Sequence, residues 1–154
     1  KHEDIRQAFA DMYGVDYKKA KELTFKQLYG GVFKEYKNLE FFQKVEKYIE
    51  DISSKEEYKC KSGYVFKTDM KPQKLFNYIL QNTETYYNVL IIEKIIRILR
   101  ESKTRLIHYT YDSFLLDVSK EEKDKIESIL EVFDSYKFNV KMAAGTNYHS
   151  LSVL

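Results

Sequence analysis

Tyr17, Lys21, Phe25 and Tyr29 recur at intervals of four in this 154-residue chain. On a helix of 3.6 residues per turn each step drifts by about 40°, so the four side chains form one slanted stripe. A lysine among three aromatic side chains suits a nucleotide, with the ammonium on phosphate and the rings on base and sugar. The same spacing also suits core aromatics with the Lys21 head snorkelling to water. Asp112 sits in Tyr109-Thr110-Tyr111-Asp112-Ser113-Phe114, between two runs of strand character. A carboxylate at a hairpin turn can project from the sheet edge and bind Mg²⁺ through oxygen, although turn chemistry alone also selects Asp. One carboxylate does not make a two-metal centre, which needs shared acidic groups. Asn77 and Gln81, four apart, bring two amides to one helical face. There they can bond base edges or sugars in a minor groove, or simply meet water.

Other chemistries find no support. His2, His108 and His149 are scattered and share no metal-ligand spacing with Cys60. There is no zinc motif, P-loop, dinucleotide fingerprint or nucleophile elbow. A single cysteine makes an intrachain disulfide impossible and fits a reducing compartment, so Cys60 reads as a packing residue. A composition of 44% hydrophobic and 32% charged residues excludes a disordered tail or a collagen-like repeat. The net charge of +2 is unevenly spread. Residues 55–105 carry 11 Lys/Arg against 6 Asp/Glu, whereas residues 106–154 carry 5 against 8. A positive stretch beside an acidic one is compatible with nucleic acid and metal, and equally with an ordinary solvated surface. No apolar run reaches the roughly 18–20 residues that a membrane span needs.

The elements that must position these residues follow from periodicity. Ile5, Ala8, Phe9 and Met12 predict a helix that stops at Gly14. A second helix runs from Tyr17 to Tyr29 and ends at Gly30-Gly31, and Leu39, Phe42, Val45, Tyr48, Ile49 and Ile52 mark a third. Tyr58 to Lys67 reads as a hairpin around Ser62-Gly63. Pro72 opens a long helix reaching about Ser102, with a bend near Asn82-Thr83, and apolar residues on most sides of Tyr86 to Leu99 predict deep burial. Leu106–Tyr111 and Phe114–Val118 form a hairpin turning at Asp112-Ser113. Ser119 and Glu122 read as a capping box for a helix burying Ile126, Ile129, Leu130 and Phe133. Phe138, Val140 and Met142 alternate as a last strand ending at Gly145. The expected class is α+β: a helical segment, then a small antiparallel sheet of hairpin, helix and strand packed on helices.

Taken together, these segments resemble the polymerase domain of family A DNA polymerases, the group of bacterial DNA polymerase I and many phage replicases. Lys18-Lys19-Ala20-Lys21, with Phe25 four residues later and Tyr29-Gly30 four further on, looks like motif B of that family. Tyr109 to Val118 looks like motif C, the hairpin that presents a catalytic Asp. Asp4 to Ala10 is similar to the segment before motif B, Asn77 with Gln81 to the pair that touches the primer–template minor groove, and Gly145-Thr146-Asn147-Tyr148 to the closing motif. The resemblance implies that Lys21 grips the triphosphate of an incoming nucleotide, with Lys18 beside it. It implies that Phe25 packs near the sugar, Tyr29 near the nascent pair, and Tyr111, Asn77 and Gln81 along DNA. It makes Asp112 the catalytic, Mg²⁺-holding residue, with two ions in a complete enzyme. It divides the chain into fingers, residues 1–71, and the C-terminal part of the palm, residues 72–154.

The pattern also departs from the family. Tyr17 stands where the family has Arg, and Ser113 where motif C carries a second acid. The motif A aspartate would lie upstream of Asp4. The chain, which begins without Met, is therefore expected to be the C-terminal piece of a DNA-directed DNA polymerase, inactive alone and acting with the motif A portion. Its other partners would be primer–template DNA and deoxynucleoside triphosphates in a bacterial or phage-infected cytoplasm, with no membrane. A single-subunit RNA polymerase fragment, where Asp-Ser also occurs, and a non-catalytic nucleic-acid-binding module are the alternatives.

Overall fold

The computed structural model describes residues 5–154, with side chains from Gln7 onward. His2, Asp4 and the side chain of Ile5 lie outside the described residues. Helices are joined by small antiparallel two-strand sheets packed on them, an α+β arrangement. The chain forms two compact units, Lys1–Tyr86 and Tyr87–Leu154. No helix among the described residues is long and apolar enough to cross a membrane.

In the first unit α1 (Ile5–Tyr13) and α2 (Tyr17–Gly30) are followed by α3 (Glu40–Ser53), strands β1 (Glu57–Lys59) and β2 (Val65–Lys67), and the start of α4 (Pro72–Ile98). Asp16 caps α2, its carboxylate accepting from the Lys19 amide at 2.9 Å, which satisfies an orphan donor of the first turn. Gly31 ends the helix at φ 102°, a conformation side-chain-bearing residues rarely adopt. Phe9, Ala10, Ala20 and Phe42 form one buried cluster, with the Phe9 and Phe42 rings stacked at 5.5 Å. The α1 face is rotated from the expected one: Met12 is more than half exposed, and Tyr13 packs against the cluster in its place. Gln27, almost wholly buried, ties the α1–α2 region together. Its amide nitrogen donates to the Tyr13 hydroxyl and its oxygen accepts from the Phe33 amide, each at 3.3 Å. A second cluster gathers Ile49, Ile52, Cys60, Leu75, Phe76 and Ile79, so Cys60 is a packing residue whose thiol is pushed up by burial.

In the second unit the remainder of α4 is followed by the hairpin β3 (Arg105–Thr110) and β4 (Ser113–Asp117), then α5 (Asp124–Ser135), β5 (Ala143–Ala144) and β6 (Ser152–Val153). Ile91, Ile95, Leu99, Ile129, Val132 and Phe133 form its core, with Leu106, Phe114 and Leu116 packed against it. Four expectations are corrected in this unit. The second half of α4 is not buried all round: Val89 and Ile96 are each more than half exposed. The hairpin turns at Tyr111-Asp112, since Ser113 already pairs with Thr110. Phe138, Val140 and Met142 form no strand; the pairing begins at Ala143 and is with Ser152–Val153 rather than with the β3–β4 hairpin. Finally, Ser119 and Glu122 are no capping box, because α5 starts later, at Asp124, behind Lys123.

Glu122 is instead drawn to the loop after α4. Its carboxylate accepts from the Ser102 hydroxyl, the Lys103 amide at 2.9 Å, and the Thr104 amide and hydroxyl, both at 2.8 Å. The Ser102 hydroxyl first, and then the two amides, hold its pKa near about 2. Several donors to one carboxylate outcompete a local cap, and this is why the sequence motif misleads.

Candidate nucleotide and nucleic-acid sites

Tyr17, Phe25 and Tyr29 on α2 are 37–46% exposed, which decides against the core alternative for the stripe. Phe25 and Tyr29 stack face to face, with ring centroids 5.7 Å apart and planes within 3°. The Lys21 ammonium lies 6.0 Å from the Phe25 ring centre. Lys18, Lys21, Phe25 and Tyr29, together with Glu22 and Lys26, line one open concavity of about 620 Å³. Thus all four α2 residues assigned to a nucleotide share a single surface.

Charge around this concavity is arranged by Glu22. Lys26 approaches its carboxylate at 2.7 Å and Lys19 at 3.3 Å, and these two partners hold the Glu22 pKa below the usual range. Among the described residues no ion pair engages Lys18 or Lys21, so both ammonium groups are available to an anion. Glu22 escaped the sequence reading as a site residue, yet the signal was there: Lys19 and Lys26 stand three before and four after it on a helix.

The hairpin tip in the second unit is organised differently. Asp112 is exposed at the turn, and Tyr111, 83% exposed, has φ 52°. A buried amide on α4 supports this tip. The Asn88 side-chain nitrogen donates to the Tyr109 hydroxyl at 2.9 Å and to the Tyr111 carbonyl at 3.0 Å. Asn88 was missed; its one sign in the sequence is an amide bordering the apolar run Val89–Leu99.

No protein-family model, curated protein or solved structure matches the chain.

Among the described residues no three His, Cys, Asp or Glu side chains gather as a metal-binding group. Asp112 therefore offers one exposed carboxylate, short of the donor set that holds a divalent cation through protein ligands. Asn77 and Gln81 share a stripe of α4 but not an environment. Gln81 is exposed, while the Asn77 side-chain oxygen is buried and has no hydrogen-bond partner. At the C-terminus Asn147 has a structural task. Its oxygen accepts from the His149 and Ser150 amides, and the Ser150 hydroxyl accepts from the Asn147 amide. Gly145 approaches this turn so closely that a Cβ there would meet the Ser150 carbonyl oxygen at 2.5 Å. Local packing alone thus accounts for Gly145 and Asn147.

Proposed function

We propose that the chain is the C-terminal part of a DNA-directed DNA polymerase of the family A type, with α2 as its nucleotide-binding helix. The observation that carries this reading is the single concavity lined by Lys18, Lys21, Phe25 and Tyr29, in which two ammonium groups with no ion pair among the described residues stand beside two stacked rings. A nucleoside triphosphate needs both: cations for its phosphates and planar apolar surface for its base and sugar. In the parent reaction a primer 3′ oxygen attacks the α-phosphorus, the bond to the bridging oxygen breaks, and pyrophosphate leaves with the electron pair. Lys21 would neutralise charge on the departing phosphates, and Phe25 and Tyr29 would orient the nucleoside. Asp112 alone does not fit a metal centre; on this reading the second carboxylate would come from the motif A portion.

The test is primer extension by the complete enzyme. Lys21→Ala should raise the KM for deoxynucleotides about 10- to 100-fold, as expected for loss of a charged contact. Asp112→Asn should abolish extension while DNA binding survives. Unchanged nucleotide kinetics in the first variant, or near-normal extension by the second, would sink the assignment. The lone, exposed Asp112 favours a second reading, a non-catalytic nucleic-acid-binding module. Extension that is absent in the complete wild-type protein, with DNA binding intact, selects it.

A further inference from the structure

A row of aromatic rings crosses the surface made by the β1–β2 hairpin and the first half of α4. The Tyr64 ring lies 4.7 Å from Phe66, and Phe66 stacks on Tyr78 at 6.0 Å with planes within 20°. Phe66 is partly buried against the core cluster and fixes the row from beneath. Tyr64 and Tyr78, at its two ends, are 58% and 38% exposed. The Lys74 ammonium sits 5.5 Å from the Tyr78 ring centre. The hairpin is fastened to the helix by the Ser62 hydroxyl, which donates to the Asn82 side-chain oxygen at 2.7 Å. Residues 55–78 carry six lysines against three acids.

We infer that this surface is a docking platform for single-stranded nucleic acid, distinct from the α2 concavity. Exposed rings in a row accept bases whatever their identity, because every base has a π-face, and the lysines meet the phosphates. An acidic peptide would match the lysines but leave the rings unused. A duplex would match the charge but hide its bases. The inference does not depend on the polymerase reading: a strand can stack on Tyr64 and Tyr78 whether or not α2 takes a nucleotide.

Fluorescence anisotropy with the full chain and a labelled oligo(dT) of about 12 nucleotides tests it, without nucleotide or divalent cation. Tyr64→Ala and Tyr78→Ala should each weaken binding about 5- to 100-fold, whereas Tyr64→Phe and Tyr78→Phe retain it. Lys74→Ala should weaken binding and lower the salt slope by about one. Both tyrosines are exposed, so circular dichroism should show the variants folded. Alanine variants that bind like the parent overturn the inference. So does wild-type protein that fails to bind or that binds polyglutamate as tightly, and so do alanine variants that lose as much affinity for a blunt duplex as for oligo(dT).

Discussion

At the scale of single residues, one carboxylate shows how far a side chain can act from its expected place. Glu122 has the spacing of a local helix cap and is used instead to secure residues 102–104. Its pKa near about 2 is depressed below the ordinary value, so it contributes stability that is fully present above about pH 4.5. That contribution is lost as pH falls from about 4.5 through about 2. Glu122→Gln should therefore lower the melting temperature at pH 7 and narrow the gap between variant and parent as the solution is acidified below pH 4. Melting curves at pH 7 and pH 3 check both, and a difference that is the same at the two values would contradict the role. Lys21 is the opposite case: its spacing of four from Phe25 anticipated the helix face they share, whereas Lys18 entered only through the family resemblance.

At the scale of elements, α2 and α3 were legible from their apolar period and, for α2, from the glycines that end it. Tyr17–Gly30 carries Asp16 at one end and Gly31 at the other, and Glu40–Ser53 buries the expected Phe42, Ile49 and Ile52. What could not be read was pairing at a distance. Phe138, Val140 and Met142 alternate like a strand, but the Phe138 amide donates back to the Phe133 carbonyl, and only the Met142 carbonyl meets the C-terminal segment, accepting from the Leu154 amide, so no ladder forms along the run. The α2 concavity was legible in part: the interval of four brings Lys21, Phe25 and Tyr29 to it, but Tyr17, the first of that stripe, is not in its lining, and Glu22 and Lys26 were not read as part of it. The support of the Asp112 turn was not, because Asn88 reaches it from α4 across more than 20 residues of sequence. Asn88→Ala removes two hydrogen bonds from a buried amide, which should cost about 1–3 kcal/mol. Chemical denaturation measures that loss. A change within about 0.5 kcal/mol would show that the tip does not depend on the amide.

At the scale of the whole molecule, the two units have separate interiors, although α4 contributes to both. Leu75 belongs to the first unit's cluster and Ile95 to the second's, and the clusters share no residue. Leu75→Ala and Ile95→Ala should each destabilise by about 2–5 kcal/mol. Combined in one chain, their effects should add within about 0.5 kcal/mol. A double-mutant cycle with coupling well beyond that would show that the two interiors respond as one.

The anchoring of residues 102–104 by Glu122 also imposes an order on the chain. The Lys103 and Thr104 amides have their acceptor 19 and 18 positions downstream, beyond the whole β3–β4 hairpin. During synthesis, therefore, the stretch after α4 stays unlatched until the hairpin and Glu122 have emerged. In the finished protein these two amides become a clock for that latch. Their hydrogen–deuterium exchange should be slow in the parent and should accelerate together in Glu122→Gln, while amides in the middle of α3 keep their rates.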